Sequence, residues 1–272
     1  MKHKNILILN ILAFLLFACN NEKSSESTFS IADQWPEEKR EEFELQVSEK
    51  IKEYTYPTLD STHVSIGISH VFVSEELIKV YNDVDHKRLW SEEKNRQDLI
   101  NIIKGSYFDG LNPEDYHLEA IEQLYLERGE DLESEAKRLA KIDVLMTDAI
   151  MLYAFHMIQG KVNPESLDPN WNYSKRDIPE EIELKLISRL EEQSLGDSVK
   201  TLRPALPMYE RYRKWFAHYD SLKKNDGKIT QLEYPGEPLK VGDSSVLVSE
   251  LKRHLENFNV SGVSDEDEYF DE

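Results

Sequence analysis

Few groups among the 272 residues have a type and spacing that set up chemistry. The single cysteine, Cys19, is the only thiol, so the chain forms no intramolecular disulfide and no cysteine-based zinc site. The eight histidines are scattered, and no two share a helix at metal-ligand spacing with a carboxylate partner. His156 falls on the apolar stripe of a long helical segment, where a histidine is a hydrogen-bonded core residue rather than a ligand. In the same segment, "LMTDAIMLYAFH", Asp148 follows Thr147 and is expected to be a buried carboxylate bonded to backbone or hydroxyl groups. Thr147, Asp148 and His156 are therefore the candidate polar core. "LKKNDGKITQLE" has Asp226, Gly227, Ile229 and Glu233 at the relative positions of a calcium loop, but Leu222 and Lys224 occupy its first and third ligand positions. That stretch is a turn, and neither metal nor cofactor is expected. Trp35, Trp90 and Trp215 are read mainly as core, whereas Trp171 and Tyr173 stand in a polar loop where they are able to face a sugar or peptide.

The elements that must position these groups are almost all helical. Pro36 suits a first helical position, and Phe43, Val47, Ile51 and Tyr54 mark one face behind it. "HVSIGISHVFV" is the one β signal, a β-branched run around a glycine that reads as a small hairpin. Ser74 caps a helix bearing Leu77, Ile78 and Tyr81; Leu99, Ile102 and Ile103 face another. In "SYFDGLNPEDYHLEAI", Gly110 supplies a left-handed turn, Asn112 a cap and Pro113 a first helical position. The longest helix is predicted from about Leu132 to Gln159, with Gly160 ending it and Leu139, Ile142, Met146, Ala149, Tyr153 and His156 along its stripe. "KVNPESLDPNWNYSKRDIP" reads as a long surface loop. A helix at 179–193 follows with Leu184, Ile187 and Leu190, then one at 207–223 with Tyr209, Tyr212, Phe216 and Tyr219. Near the end, "VGDSSVLVSELKRHLENF" is an amphipathic helix whose apolar residues are Leu247, Leu251, Leu255 and Phe258.

Charge and the N-terminus restrict the setting. A net charge of -20, from 33 basic and 53 acidic residues, argues against nucleic acid, whose phosphates it would repel. Lys2 and Lys4 precede an apolar run from Ile6 to Ala18, too short for a spanning helix of about 20 residues but suited to a secretory signal. Its end, Leu16-Phe17-Ala18-Cys19, resembles the bacterial lipoprotein box. That resemblance implies a signal peptide at 1–18, a lipidated Cys19, a polar tether at 19–34 and a body held at a membrane, on the periplasmic side of a Gram-negative envelope.

Several segments, in order, resemble the front half of the large murein L,D-transpeptidases. "VYNDVDHKRLW", "SYFDGLNPEDYHLEAI", "IDVLMTDAIMLYAFHMIQGKVNP" and "LRPALPMYERYRKWFAHY" are similar to that family's scaffold motifs across most of Thr62 to Tyr219. "LKVGDSSVLVSELKRHLENF" is similar to the first helix of a peptidoglycan-binding module, with Gly242, Ser245, Val248, Leu251 and Leu255 at matching positions. The resemblance implies a mainly α fold with a small β-hairpin, a helical scaffold domain at 35–232 and the start of a peptidoglycan-binding module at 238–272. It also implies peptidoglycan as partner. The family's catalytic cysteine stands in a His-Gly-Cys setting, which these residues lack, so no catalytic residue is carried over. The expectation is an inactive front part of a cell-wall cross-linking lipoprotein; the alternative is a non-catalytic envelope lipoprotein acting as scaffold or binding module.

Overall fold

The computed structural model describes residues 36–56, 63–72, 75–162, 166, 176–179, 181–225, 236, 238–257, 260 and 267–271. Cys19, Ser74, Trp171, Tyr173, the 226–233 turn and Phe258 lie outside these residues. The chain divides into two units, residues 1–45 and 46–272. The described part of the first unit is the start of helix α1 (Glu37–Thr55), where the Pro36 carbonyl accepts from the N–H groups of Lys39 and Arg40.

The second unit is mainly helical with one small antiparallel hairpin. Strands β1 (His63–Ile66) and β2 (Ser69–Phe72) pair in register Val64 with Val71 and Ser65 with His70, turning at Gly67, whose φ of +61° a side chain would strain. Their inward residues, Ile66 and Val71, are fully buried. Helices α2 (Glu75–Asp83), α3 (Glu93–Gly105), α4 (Leu118–Leu126) and α5 (Leu132–Gln159) build the core. Helices α6 (Ile182–Glu191), α7 (Leu195–Leu202) and α8 (Pro207–Asn225) pack around it, and α9 (Val246–Asn257) follows.

Helix α5 organises the rest. Asp131 and Ser134 form a reciprocal capping box at its start, and Gly160, at φ +83°, stops it by donating to the His156 carbonyl at 2.9 Å. By length and composition α5 would pass for a membrane span, but it is mostly buried by its neighbours: α2, α3, α4, α7 and β2 all contact it. Burial in its middle is not confined to one stripe. Ile142, Met146, Ala149 and Tyr153 are inside, and so are Asp143, Val144 and Leu145.

Three details depart from the periodicity reading. Helix α7 is an additional element, short enough to pass for loop. In α6 the buried residues are Leu186 and Leu190, while Leu184 is exposed, because the helix is seated on α2 and α7 by a neighbouring face. In α8, Tyr212, Trp215 and Tyr219 face solvent rather than core.

Candidate functional site

Among the described residues, three buried clusters of polar groups act as locks, each joining one loop corner to α5. The first is built on Asp143 and Thr147, which share a face of α5 at i, i+4. Asp143 accepts from the N–H of Trp90 (2.9 Å), the N–H of Leu89 (3.2 Å) and the Tyr81 hydroxyl (2.9 Å). The Thr147 hydroxyl donates to the Asp143 carbonyl at 2.9 Å and accepts from the Trp90 indole N–H at 2.9 Å; it also lies 2.8 Å from the Tyr81 hydroxyl. All four side chains are inside. Burial lifts the Asp143 carboxyl to about 6 against these three donors, and burial followed by the Asp143 charge pushes the Tyr81 phenol well up. The lock fixes the Leu89–Trp90 segment, which has no regular structure of its own, against the core helix.

The second lock pins the corner around Pro113–Tyr116, a short 3-10 turn. Asn112 caps it and Pro113 fills its first position, so local chemistry makes the turn. His117 then adopts φ +61°, a left-handed conformation costly for a side chain, and its Nε2 lies 2.7 Å from Asp148 Oδ2. Next to it the Tyr116 hydroxyl lies 2.9 Å from His156 Nδ1, with the Tyr116 ring edge-on to Tyr153. Burial, then the nearby Lys161 charge, holds His156 below its usual value, favouring the neutral ring. Thus Asp148, Thr147 and His156 do not meet in one site. Thr147 serves the first lock; Asp148 and His156 serve the second.

The third lock centres on Asp109, at the end of the 3-10 turn Ser106–Asp109, with a fully enclosed carboxylate. Arg203 reaches both oxygens, Nε at 3.0 Å and Nη2 at 3.2 Å. Tyr209 donates at 2.8 Å and Tyr153 at 3.1 Å, and Arg213 Nε is in ionic contact with Oδ1. Burial, reinforced by the Asp109 charge, holds the Tyr153 and Tyr209 phenols well above their ordinary range. This lock ties α8 and the segment before it to the body.

Asp109, Asp143 and His117 are the residues that the sequence reading passed over. Asp143 had a usable signal, an acidic residue one turn before a threonine in the mostly apolar middle of the helix. Asp109 stood in a quoted motif, indistinguishable by local pattern from the other acidic residues.

The described residues within 242–271 make a further set of contacts. Gly242, at φ +99°, donates to the Phe270 carbonyl (2.8 Å), Ser245 N–H donates to the Glu268 carbonyl (2.8 Å), and Phe270 N–H donates to the Asp243 carbonyl (2.9 Å). The Ser245 hydroxyl accepts from Leu247 N–H at the start of α9. Val248 is buried, whereas Leu247, Leu251 and Leu255 are half-buried. Lys252 donates to Asp267 at 2.9 Å and lies 3.4 Å from Asp271, clamping the returning segment over the helix.

Chemically, the groups within each lock are paired with one another. Among the described residues no group of three His, Cys, Asp or Glu is placed to hold a metal. His117–Asp148 is a histidine–carboxylate pair, yet its two side chains are only 8% and 15% exposed, which leaves little room for a substrate.

The three locks all fall inside a stretch that matches a known family model. The model is that of the scaffold domain, and it covers residues 75–215, just over half the chain. The chain belongs to the scaffold-domain family. This domain is found in L,D-transpeptidases. The match begins at α2 and ends within α8, so the scaffold domain contains Asp109, Asp143 and Asp148 together with their partners Tyr81, Trp90, His117, Arg203 and Tyr209. No curated protein matches the chain.

Proposed function

We propose that the chain is the scaffold part of an exported, lipid-anchored L,D-transpeptidase system that cross-links peptidoglycan during cell-wall biogenesis. The observation that supports this best is the coincidence of the family match at 75–215 with the three buried locks. A domain whose buried polar groups are spent on holding corners in place is suited to presenting surfaces, and no reacting group is assigned within it. Lipidation at Cys19 and placement on the periplasmic side belong to the same proposal, as does peptidoglycan as partner of the 238–272 segment.

A second reading, a non-catalytic envelope lipoprotein acting as scaffold or binding module, is favoured by the locks themselves, whose carboxylates within 75–215 are paired with donors from distant segments. Muropeptide analysis of cells with and without the chain separates the two. Loss of L,D-transpeptidase cross-links on deletion, restored by the intact gene, supports the first reading; unchanged cross-linking refutes it. Palmitate labelling that survives Cys19→Ala removes the anchor from the proposal.

A further inference from the structure

Helix α8 has two neighbouring stripes with different fates. Tyr209, Arg213, Phe216 and Asp220, at i, i+4, i+7 and i+11, are committed to the body. Tyr209 and Arg213 meet Asp109, Phe216 packs against Tyr107 (4.9 Å) and Phe108 (6.0 Å), and Asp220 accepts from Tyr107 at 3.4 Å. One residue earlier at the same spacing stand Met208, Tyr212, Trp215 and Tyr219, which are 56%, 64%, 52% and 51% exposed, with Leu206 at 63% just before the helix. Trp215 stacks on Tyr219 at 5.9 Å and meets His218 edge-on at 5.7 Å. Large apolar side chains thus form a continuous ridge roughly 16 Å long on a helix that is otherwise well anchored. Contiguous apolar exposure of this kind marks an interaction surface.

Charge identifies what covers it. The chain is strongly acidic, yet α8 carries Arg211, Arg213, Lys214, Lys223 and Lys224 against only Glu210 and Asp220. Arg213 is matched by Asp109 and Lys224 by Asp220 at 2.6 Å. Arg211, Lys214 and Lys223 remain, and helical spacing sets Arg211 and Lys214 along the ridge's outer flank. A second copy of the chain is a poor occupant. It would bring like charge to the same place, and one helix stripe falls short of the roughly 800 Å² per partner that a stable interface covers. Tryptophan and tyrosine rings beside leucine and methionine, bordered by lysine and arginine, match instead the boundary between acyl chains and anionic headgroups. Carboxylates farther than a Debye length of about 8–10 Å from the ridge are screened by salt and do not cancel this attraction.

We propose that the Met208–Tyr212–Trp215–Tyr219 ridge of α8 lies on an anionic lipid surface, its rings at headgroup depth and Arg211, Lys214 and Lys223 on the phosphates. This does not depend on the reading of Cys19. Because an apolar run such as Ile6–Ala18 is expected to bind bilayers in its own right, the readout must be confined to Trp215. The full chain and its Trp215→Phe variant are mixed with vesicles of pure phosphatidylcholine or with vesicles containing phosphatidylglycerol, each doped with brominated lipid. The emission difference between the two proteins reports Trp215 alone. The expected result is a blue-shifted Trp215 signal quenched on phosphatidylglycerol vesicles and water-like on neutral ones. Arg211→Gln with Lys214→Gln should weaken the lipid concentration dependence of that quenching on the order of thirtyfold, from about 1 kcal/mol per cation. These exposed substitutions leave the folded helix intact, which far-UV circular dichroism verifies. A Trp215 signal that stays water-like on both vesicles overturns the proposal. So does equal quenching on both, or burial of Trp215 without lipid, whether by self-association at rising protein concentration or on added murein sacculi.

Discussion

Replacing Asp143 by Asn tests whether the Tyr81–Trp90–Thr147 lock holds a buried charge at a cost. In the folded protein burial lifts the carboxyl from 3.8 to about 6, opposed by the N–H groups of Trp90 and Leu89 and by the Tyr81 hydroxyl. A raised folded value means that the native state binds the proton more tightly than the unfolded chain. The Asp143 contribution is therefore fully present below the unfolded value and is lost as pH rises through the folded one. Over that window the gap between the two values corresponds to roughly 3 kcal/mol. Asn has the same shape and does not titrate. Urea unfolding of both proteins, followed by tryptophan emission and circular dichroism, should show the wild type gaining roughly 2–3 kcal/mol on Asp143→Asn between about pH 7 and about pH 4. Groups elsewhere titrate alike in both proteins and cancel in the difference. A difference that is flat with pH would refute the reasoning. If instead the wild type gains as pH rises, the three donors outweigh burial and the carboxyl sits below its ordinary value.

Asp109→Ala leaves the Arg203 and Arg213 guanidiniums in an enclosed site without their counter-charge, at an expected cost of about 3–5 kcal/mol. Amide exchange should accelerate in α8 well before it does in α5; uniform acceleration would mean that Asp109 does not specifically dock α8. For the second lock, a double-mutant cycle over His117→Ala and Asp148→Ala should give a coupling of about 1–3 kcal/mol. Additive effects would show that the two residues act separately.

The order of elements and their local chemistry were legible in the sequence because they depend on neighbours along the chain. The hairpin at Gly67, the Asn112–Pro113 start, and the core helix from Leu132 to its stop at Gly160 each follow from short-range geometry. Apolar repeats at helical spacing also picked out Val47, Ile51, Leu99, Ile103 and Tyr153, all of which are buried. The same repeats misled at α6 and α8, since periodicity identifies an apolar face without saying whether anything lies against it. In α8 that gap is the informative result: Tyr209 is half-buried on Asp109 and Phe216 leans on Tyr107, while Tyr212, Trp215 and Tyr219 are each more than half exposed.

What the sequence by itself determined was a helical chain with a charged, acidic surface and the motif order of a scaffold domain. Which polar residues matter was decided only by the tertiary structure. Asp143 finds Tyr81 and Trp90 at sequence separations of 62 and 53 residues, His117 finds Asp148 at 31, and Asp109 finds Arg203 at 94. In a chain with 53 acidic residues, composition cannot separate these three from the solvated majority. A carboxylate becomes part of a lock through desolvation and the donors that surround it, and both exist only once distant segments have closed around it.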